Sequence, residues 1–400
     1  MFIKRGKTAS PLAHKSPANI WWLSATSFLT DVSSEMIFPV LPLFLKSVLG
    51  VSLPLIGLIE GLAEGLGSVL KYFSGFWSDQ LGKRKGLTFL GYILSAFSKL
   101  LFALAGGAST VLVARSLDRA GKGIRTAPRD ALIAESVAKG QRGKYFGFHR
   151  AADTGGAIVG TLIAIGLLYW WGGGTASAIR LILILSFIPA ILSTLLLIKV
   201  KEVGPAVPSQ RRQRLFQFGK LSGNFKIFLL VAALFGLANY SYAFYVLRAD
   251  DVGLAFFLIP VVYLLYNIFY GLSVYPAGRL SDKVGRKPLL TYAFILFALL
   301  NLGFAFAVDR SNVWFWFALY GLFIGLTDGV FKAAVADLAN EEREGEAFGI
   351  YHTVIGFTTL GGNLLGGWLW AIYGAAWSFA LSSLLILLAA VVLVAKVRLK

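Results

Sequence analysis

The chain contains no cysteine. Disulfides and thiol chemistry are therefore excluded, and the redox compartment is left unread. Histidine is scarce too: His14, His149 and His352 stand apart, with no His/Asp set spaced to hold a metal. A Gly-Lys-Ser/Thr phosphate loop is missing, which excludes ATP hydrolysis as an energy source. Gly121-Lys122-Gly123 is glycine-rich, but it lies inside an apolar stretch and lacks the strand–loop–helix context. Neither metal, cofactor nor enzymatic activity is expected. Charge is the other shortage, at 14% of 400 residues against 57% hydrophobic. A soluble surface needs more charge than this, so lipid must be the solvent for most of the chain. Acids are fewest, with 20 Asp and Glu against 38 Lys and Arg, a net +18. Such an excess can signal nucleic acid. Here the bases sit where cytoplasmic loops belong, and no nucleic-acid partner is expected.

About 20 apolar residues cross a bilayer as a helix. Such stretches fall near 20–45, 53–78, 87–106, 109–137, 144–171 and 177–199, and then near 223–247, 252–280, 288–308, 312–338, 345–373 and 376–396. Gly106-Gly107 and Gly172-Gly173-Gly174 mark tight turns. The first apolar stretch is too long and too acidic for a cleavable signal, so none is expected. Bases cluster on one side of this map, at Lys83-Arg84-Lys85, Lys139/Arg142/Lys144, Arg211/Arg212/Arg214, Lys283/Arg286/Lys287 and Lys396/Arg398/Lys400. The expectation is a multi-pass protein of the inner or plasma membrane with both termini cytoplasmic. Residues 1–19 read as a cytoplasmic tail, 20–199 as one six-helix bundle, 200–222 as a basic, Pro-containing cytoplasmic linker and 223–400 as a second bundle.

One loop occurs twice. Gly75–Lys85 reads GFWSDQLGKRK, and Gly278–Lys287 reads GRLSDKVGRK. The offsets 278 − 75, 282 − 79 and 285 − 82 are all 203, and Phe146-Gly147 returns as Phe348-Gly349 at offset 202. One six-helix unit used twice is the economical reading. Gly-x-x-x-Asp-x-x-Gly-basic-basic between the second and third spans resembles the signature loop of the major facilitator superfamily. The resemblance covers nearly the whole chain. It implies an all-helical membrane protein of twelve spans in two pseudo-symmetric six-helix bundles, working by alternating access. It also implies a latch at the cytoplasmic side, with Asp79 against the start of span eleven and Asp282 against span five. Gly75 and Gly278 would let helices approach closely there. The gate set is Gly75, Asp79, Gly82, Lys83, Arg84, Arg129, Asp130, Gly278, Asp282, Gly285 and Arg286. Glu135, seven residues before Arg142, resembles the helix-end ion pairs of some relatives.

Ionisable groups inside a membrane are costly and usually functional. Asp31 and Glu35 lie four apart on span one, and Glu60 and Glu64 four apart on span two. Arg115, Arg119 and Lys122 form a stripe on span four. Spans one and four line the central cavity in the superfamily, which would set Asp31 and Glu35 across water from Arg115 and Arg119. Burial holds a carboxylate's proton and a nearby Arg releases it, and cavity opening changes both effects. Asp31, Glu35, Arg115 and Arg119 are therefore the expected proton-coupling set, although clustered carboxylates would also suit Na⁺. Asn239, Tyr242, Tyr245, Trp316, Tyr320 and Asp328 join these four as expected substrate-cavity residues. Aromatics with a few polar groups suit an amphipathic or aromatic solute.

Proton-coupled drug exporters carry a span-five glycine pattern that Gly147, Gly156 and Gly160 match in its first three positions; Thr161 replaces its proline. The expected function is thus a secondary transporter, acting as a monomer, that exports a small amphipathic or aromatic solute by proton antiport. The alternatives are an organic-anion or organophosphate exchanger, a lysophospholipid-like lipid transporter and a proton symporter importing a nutrient.

Overall fold

A computed structural model describes residues 16, 18–81, 83–138, 141–171, 175–203, 221–306, 309–339 and 344–399. Gly82, the tail to residue 15 and 204–220 of the expected linker lie outside the described residues, as does the side chain of Asp79. A helical segment occupies each of the twelve expected positions. They are α1 (Ala18–Ile37, carried on by Leu41–Leu43 and the π-turn Phe44–Val48), α2 (Leu53–Leu81), α3 (Arg84–Ala103), α4 (Ala108–Ser136), α5 (Arg142–Trp170) and α6 (Ala176–Leu185, then Phe187–Leu196). The second set is α7 (Gly223–Ala238, then Tyr242–Asp251), α8 (Ile259–Val284), α9 (Arg286–Phe306), α10 (Asn312–Leu338), α11 (Glu344–Tyr373) and α12 (Ala375–Lys396). Among the described residues, 10 helices are long and apolar enough to cross a membrane by length and composition. The two that are not are α4, loaded with charge, and α11, diluted by Gly, Thr and Asn.

Each packing pair in the first half recurs six helices later. α1 lies on α5 as α7 lies on α11; α2 lies on α4 as α8 on α10; and α3 lies on α6 as α9 on α12. The pairs between halves obey the same rule, α2 with α11 and α8 with α5. This is the packing that a doubled sequence unit dictates. Small residues set the closest seams. Gly156 and Gly160 lie against the α1 backbone at Phe28 and Val32, and Gly61 and Gly65 of α2 lie against Leu360 and Gly356 of α11. Gly160 leaves no room for a side chain. Gly160→Leu is expected to cost at least the ~1–3 kcal/mol of an overpacked core; a lowered unfolding midpoint in detergent checks this.

Two helices break at equivalent places. α1 stops at Ile37 and restarts after Phe38-Pro39-Val40; α7 stops at Ala238 and restarts after Asn239-Tyr240-Ser241. The breaks at 38–40 and 239–241 lie 201 residues apart, within two of the 203-residue offset of the repeated loop. Proline removes a helical donor in the first break, and Ser241 caps the new helix in the second, accepting from Ala243 N–H at 3.3 Å.

The segments beyond the breaks close one end of the molecule. Val40–Leu45 lose almost all solvent contact, as do Ala243–Leu247. Across this distal seal Lys46 Nζ reaches Asp250 Oδ2 at 2.8 Å. At the opposite end, which carries Ala18, Leu81, Lys199, Gly223 and Lys396, the halves touch where the Tyr72 ring of α2 lies against Gly349 of α11. Arg150 and Lys332 lie two or so turns inside their helices from that terminal face, yet keep 56% and 51% side-chain exposure. A cleft therefore enters from the terminal face and ends at the distal seal. The absence of native cysteine makes the seal easy to test. Lys46→Cys with Asp250→Cys, bridged by a short thiol cross-linker, is expected to abolish transport, with recovery on cleavage of the linker.

Candidate functional site

Two charged ladders built on helix spacing meet beneath the seal. Glu60 and Glu64 on α2 lie beside Arg115 and Arg119 on α4, each pair one helical turn apart. Arg115 Nε and Nη2 donate to Glu60 Oε1 and Oε2 at 2.9 and 2.8 Å, a fork-to-fork pair with both side chains buried. Arg119 Nη2 lies 2.9 Å from Glu64 Oε1. Beside them Lys99 Nζ bonds Asp118 Oδ1 at 2.8 Å and Ser34 Oγ at 3.1 Å. Lys99, Arg115 and Arg119 all lie within 5.7 Å of the Phe38 ring centre, so the α1 break supplies an aromatic face to three cations.

The second break completes the network from the other half. Ser241 Oγ donates to Glu60 Oε2 at 2.7 Å, and Ser241 N–H donates to Asn363 Oδ1 on α11 at 2.8 Å. The half-helix Tyr242–Asp251 thus turns its positive end toward the Glu60 carboxylate. Asn239 Oδ1 and Tyr242 Oη are buried here without a hydrogen-bond partner among the described residues.

The expected facing of Asp31 and Glu35 on Arg115 and Arg119 does not hold for direct contacts. Both arginines are taken by α2, whose carboxylates have the matching i, i+4 spacing and a packed seam with α4. Glu35 instead meets α8, with Asn267 Nδ2 at 3.4 Å from its Oε2 and Tyr263 beside it. Asp31 makes no hydrogen bond or ion pair with any described residue. The charges nearest in effect are those of Asp153 on α5, Lys122 on α4, Glu35 and Arg125. Opposite them a row of rings runs from Tyr242 of α7 along α8: Tyr242–Tyr263 at 5.7 Å, Tyr263–Tyr266 at 5.5 Å and Tyr266–Tyr270 at 6.5 Å between centres. Nearer the terminal face, Arg150 of α5 bridges the halves to Tyr270 Oη at 3.0 Å and Asp328 Oδ2 at 3.6 Å. Asp328 also takes Lys332 at 2.7 Å, the i, i+4 partner.

Other cavity expectations are corrected. Tyr245 is fully buried among Phe304, Tyr320 and Phe379 and donates to Asn301 Oδ1 at 3.1 Å, so it is core of the second half. Trp316 packs over Gly303 of α9, away from the cleft. Tyr320 lies between Tyr245 and Tyr266, where it joins that core to the ring row.

The gate residues behave unevenly. Asp282 pairs with Arg286 of its own loop at 2.5 Å, and Arg286 also reaches Asp337 at 3.2 Å, so Asp282 neutralises a neighbour here and does not contact α5. A methyl group at Gly278 would meet nothing within 4 Å, and one at Gly75 would make an ordinary 3.5 Å contact with Ala127. Neither glycine makes a close helix approach here. Gly285 has φ 92°, a turn conformation that favours glycine. Arg84 pairs with Glu135 at 2.7 Å, which ties the first loop to the end of α4, while Arg142 donates to the Ala134 carbonyl. Lys83 is exposed at the start of α3. Arg129 binds Asp130 at 2.9 Å and Ser27 at 3.2 Å, so this pair joins α4 to α1 and not to the loop.

Glu60, Ser241, Asn363, Asp153 and the α8 tyrosines are functional candidates that sequence reasoning ranked low or missed. For Glu60 the signal was present: Glu60/Glu64 and Arg115/Arg119 have the same spacing on helices expected to be near neighbours.

The sequence matches the Major Facilitator Superfamily over residues 23–268 and 228–400. The chain belongs to this superfamily. It is 41% identical over 364 residues to an uncharacterized MFS-type transporter of Methanocaldococcus jannaschii, covering 88% of this chain and 89% of that one. A quinolone resistance protein, NorA of Staphylococcus aureus, is 29% identical over 133 residues, 33% of this chain and 34% of that one. Among solved structures, the nucleoside transporter NupG superposes with TM-score 0.80 at 14% identity, over 95% of this chain and all of that one. Membership of the major facilitator superfamily makes this a membrane transport protein and not an enzyme.

Proposed function

We propose that this chain is a proton-coupled secondary transporter that moves a small aromatic, amphipathic solute by alternating access between two six-helix bundles, residues 20–199 and 223–400. The proposal takes all twelve helices as spans, with the terminal face cytoplasmic as the loop bases require. The observation that carries it is Asp31. It sits at mid-depth in the cleft without an ion pair among the described residues, beside Glu35, Asp153 and Lys122. A carboxylate so placed exchanges a proton as the cleft opens and closes, because hydration and neighbouring charge both change. Arg115 and Arg119 hold the frame through Glu60 and Glu64, and Glu35 with the α8 tyrosines forms the solute wall. The direction is export against proton entry. The glycine seam of α5 on α1 and the partial likeness to a quinolone resistance protein support that direction.

The test uses liposomes loaded with a pH-sensitive dye and offered a quinolone, ethidium and 2-naphthyl phosphate in turn. At least one solute is expected to drive proton flux with the wild type and none with Asp31→Asn. Equal flux in both proteins overturns the role of Asp31, and no flux with any solute overturns proton coupling of aromatic solutes.

A further inference from the structure

The α2–α4 seam is an ordered series of charge pairs that fails at one step. Its first rung is Glu60–Arg115 and its second Glu64–Arg119, at 2.8 and 2.9 Å. The helices stay close below this. Gly123 packs on Gly67 and Leu70, and Ser74 Oγ donates to the Gly123 carbonyl at 3.0 Å. On the faces that continue the two ladders, α2 offers Lys71 two turns past Glu64 and α4 offers Lys122 one turn past Arg119, bases on both sides of the seam. Neither ammonium has a hydrogen bond or ion pair among the described residues. Lys122, Lys332, Glu64 and Asp328 lie within electrostatic reach of Lys71. Nearby acids are mostly engaged elsewhere: Glu64 by Arg119, and Asp328 by Lys332 and Arg150. Asp31 alone remains for Lys122.

Two lysines at membrane depth without an ion pair among the described residues are costly. A packing role would be served by Glu at either position, as the two rungs above show. We infer that Lys71 and Lys122 form an anion site in the cleft that takes the carboxylate or phosphate head of the transported solute, while its aromatic body lies on Tyr263, Tyr266 and Tyr270. The inference rests on the transport reading above and names its substrate class: planar organic anions or zwitterions. Lys122 is exposed and Lys71 half-buried, so a head group there can reach both without displacing a protein partner. It also places an anion within reach of Lys122, the base beside Asp31, so that solute binding alters the charge that Asp31 meets.

The same chemistry can come from a free ion or from an organic head group, and binding to the purified full-length protein separates them. The probes are 2-naphthyl phosphate, neutral 2-naphthol and inorganic phosphate, read by tryptophan quenching and by the unfolding midpoint. The wild type is expected to bind 2-naphthyl phosphate about tenfold or more tighter than either other probe, as one lost charge-assisted bond implies. Lys122→Gln and Lys71→Gln are expected to erase that preference. Lys71→Glu closes the third rung with Lys122, so it is expected to raise the unfolding midpoint while losing the naphthyl phosphate response, an outcome that misfolding cannot imitate. Asp31→Asn, which should abolish proton-driven transport, is expected to keep the response, so the two readings fail separately. Equal binding of 2-naphthol, or an unchanged response in Lys71→Glu, overturns the site. Equal binding of inorganic phosphate overturns the head-group assignment by making this a free-ion site.

Discussion

Glu60→Gln is expected to leave little folded protein. Arg115 is fully buried, and its fork is matched to both oxygens of Glu60. Removing that charge leaves buried Arg115 with only the longer contacts to Glu64 at 4.0 Å and Asp118 at 3.8 Å, a loss of about 3–5 kcal/mol in a low-dielectric interior. The loss spreads beyond one seam. Glu60 also receives Ser241 from the α7 break, and Ser241 holds Asn363 of α11. Four helices from both halves therefore meet at this carboxylate. The expected result is a large fall in the unfolding midpoint and poor recovery from membranes. Glu60→Gln with Arg115→Met should regain part of the loss, because the orphaned charge is gone. A Glu60→Gln protein with wild-type stability would show that the pair is not a structural centre.

Asp31→Asn is expected to do the reverse, sparing the fold and abolishing coupling. No ion pair among the described residues is lost, and Asn keeps the volume. The expected change in unfolding midpoint is small, within about 0.5 kcal/mol for a site without special contacts. Uphill transport should be lost altogether, since Asn has no proton to exchange. Glu35→Gln is less severe in this account, because Glu35 is tied to Asn267 and Tyr263 and acts on the solute wall.

Much of this architecture could be read from residues. Apolar length placed the twelve helices, and the 203-residue offset of the repeated loop anticipated that every helix pair recurs six helices later. The two breaks lie 201 residues apart, close to that offset, yet little in the sequence marks them. Three residues interrupt each helix, and Phe38-Pro39-Val40 is as apolar as its surroundings; only Pro39 marks it. The charged residues were found and their partners were not. Asp31, Glu35, Glu60 and Glu64 compete for the same arginines, and helix spacing alone does not choose among helices. Packing chose α2, because Gly67 and Gly123 bring it against α4. The aromatic half misled for a related reason. Tyr245 looks polar enough for a cavity, but Asn301 satisfies its hydroxyl inside the core, while Tyr263 and Tyr266 one helix later face Glu35.

The most direct measurement of the central claim compares two assays on the same Asp31→Asn liposomes. One is solute exchange at equal concentration without a pH gradient, and the other is accumulation driven by an imposed gradient. The account predicts that exchange persists near the wild-type rate while accumulation disappears, since only the proton-linked step is removed. Accumulation that survives in Asp31→Asn would contradict it.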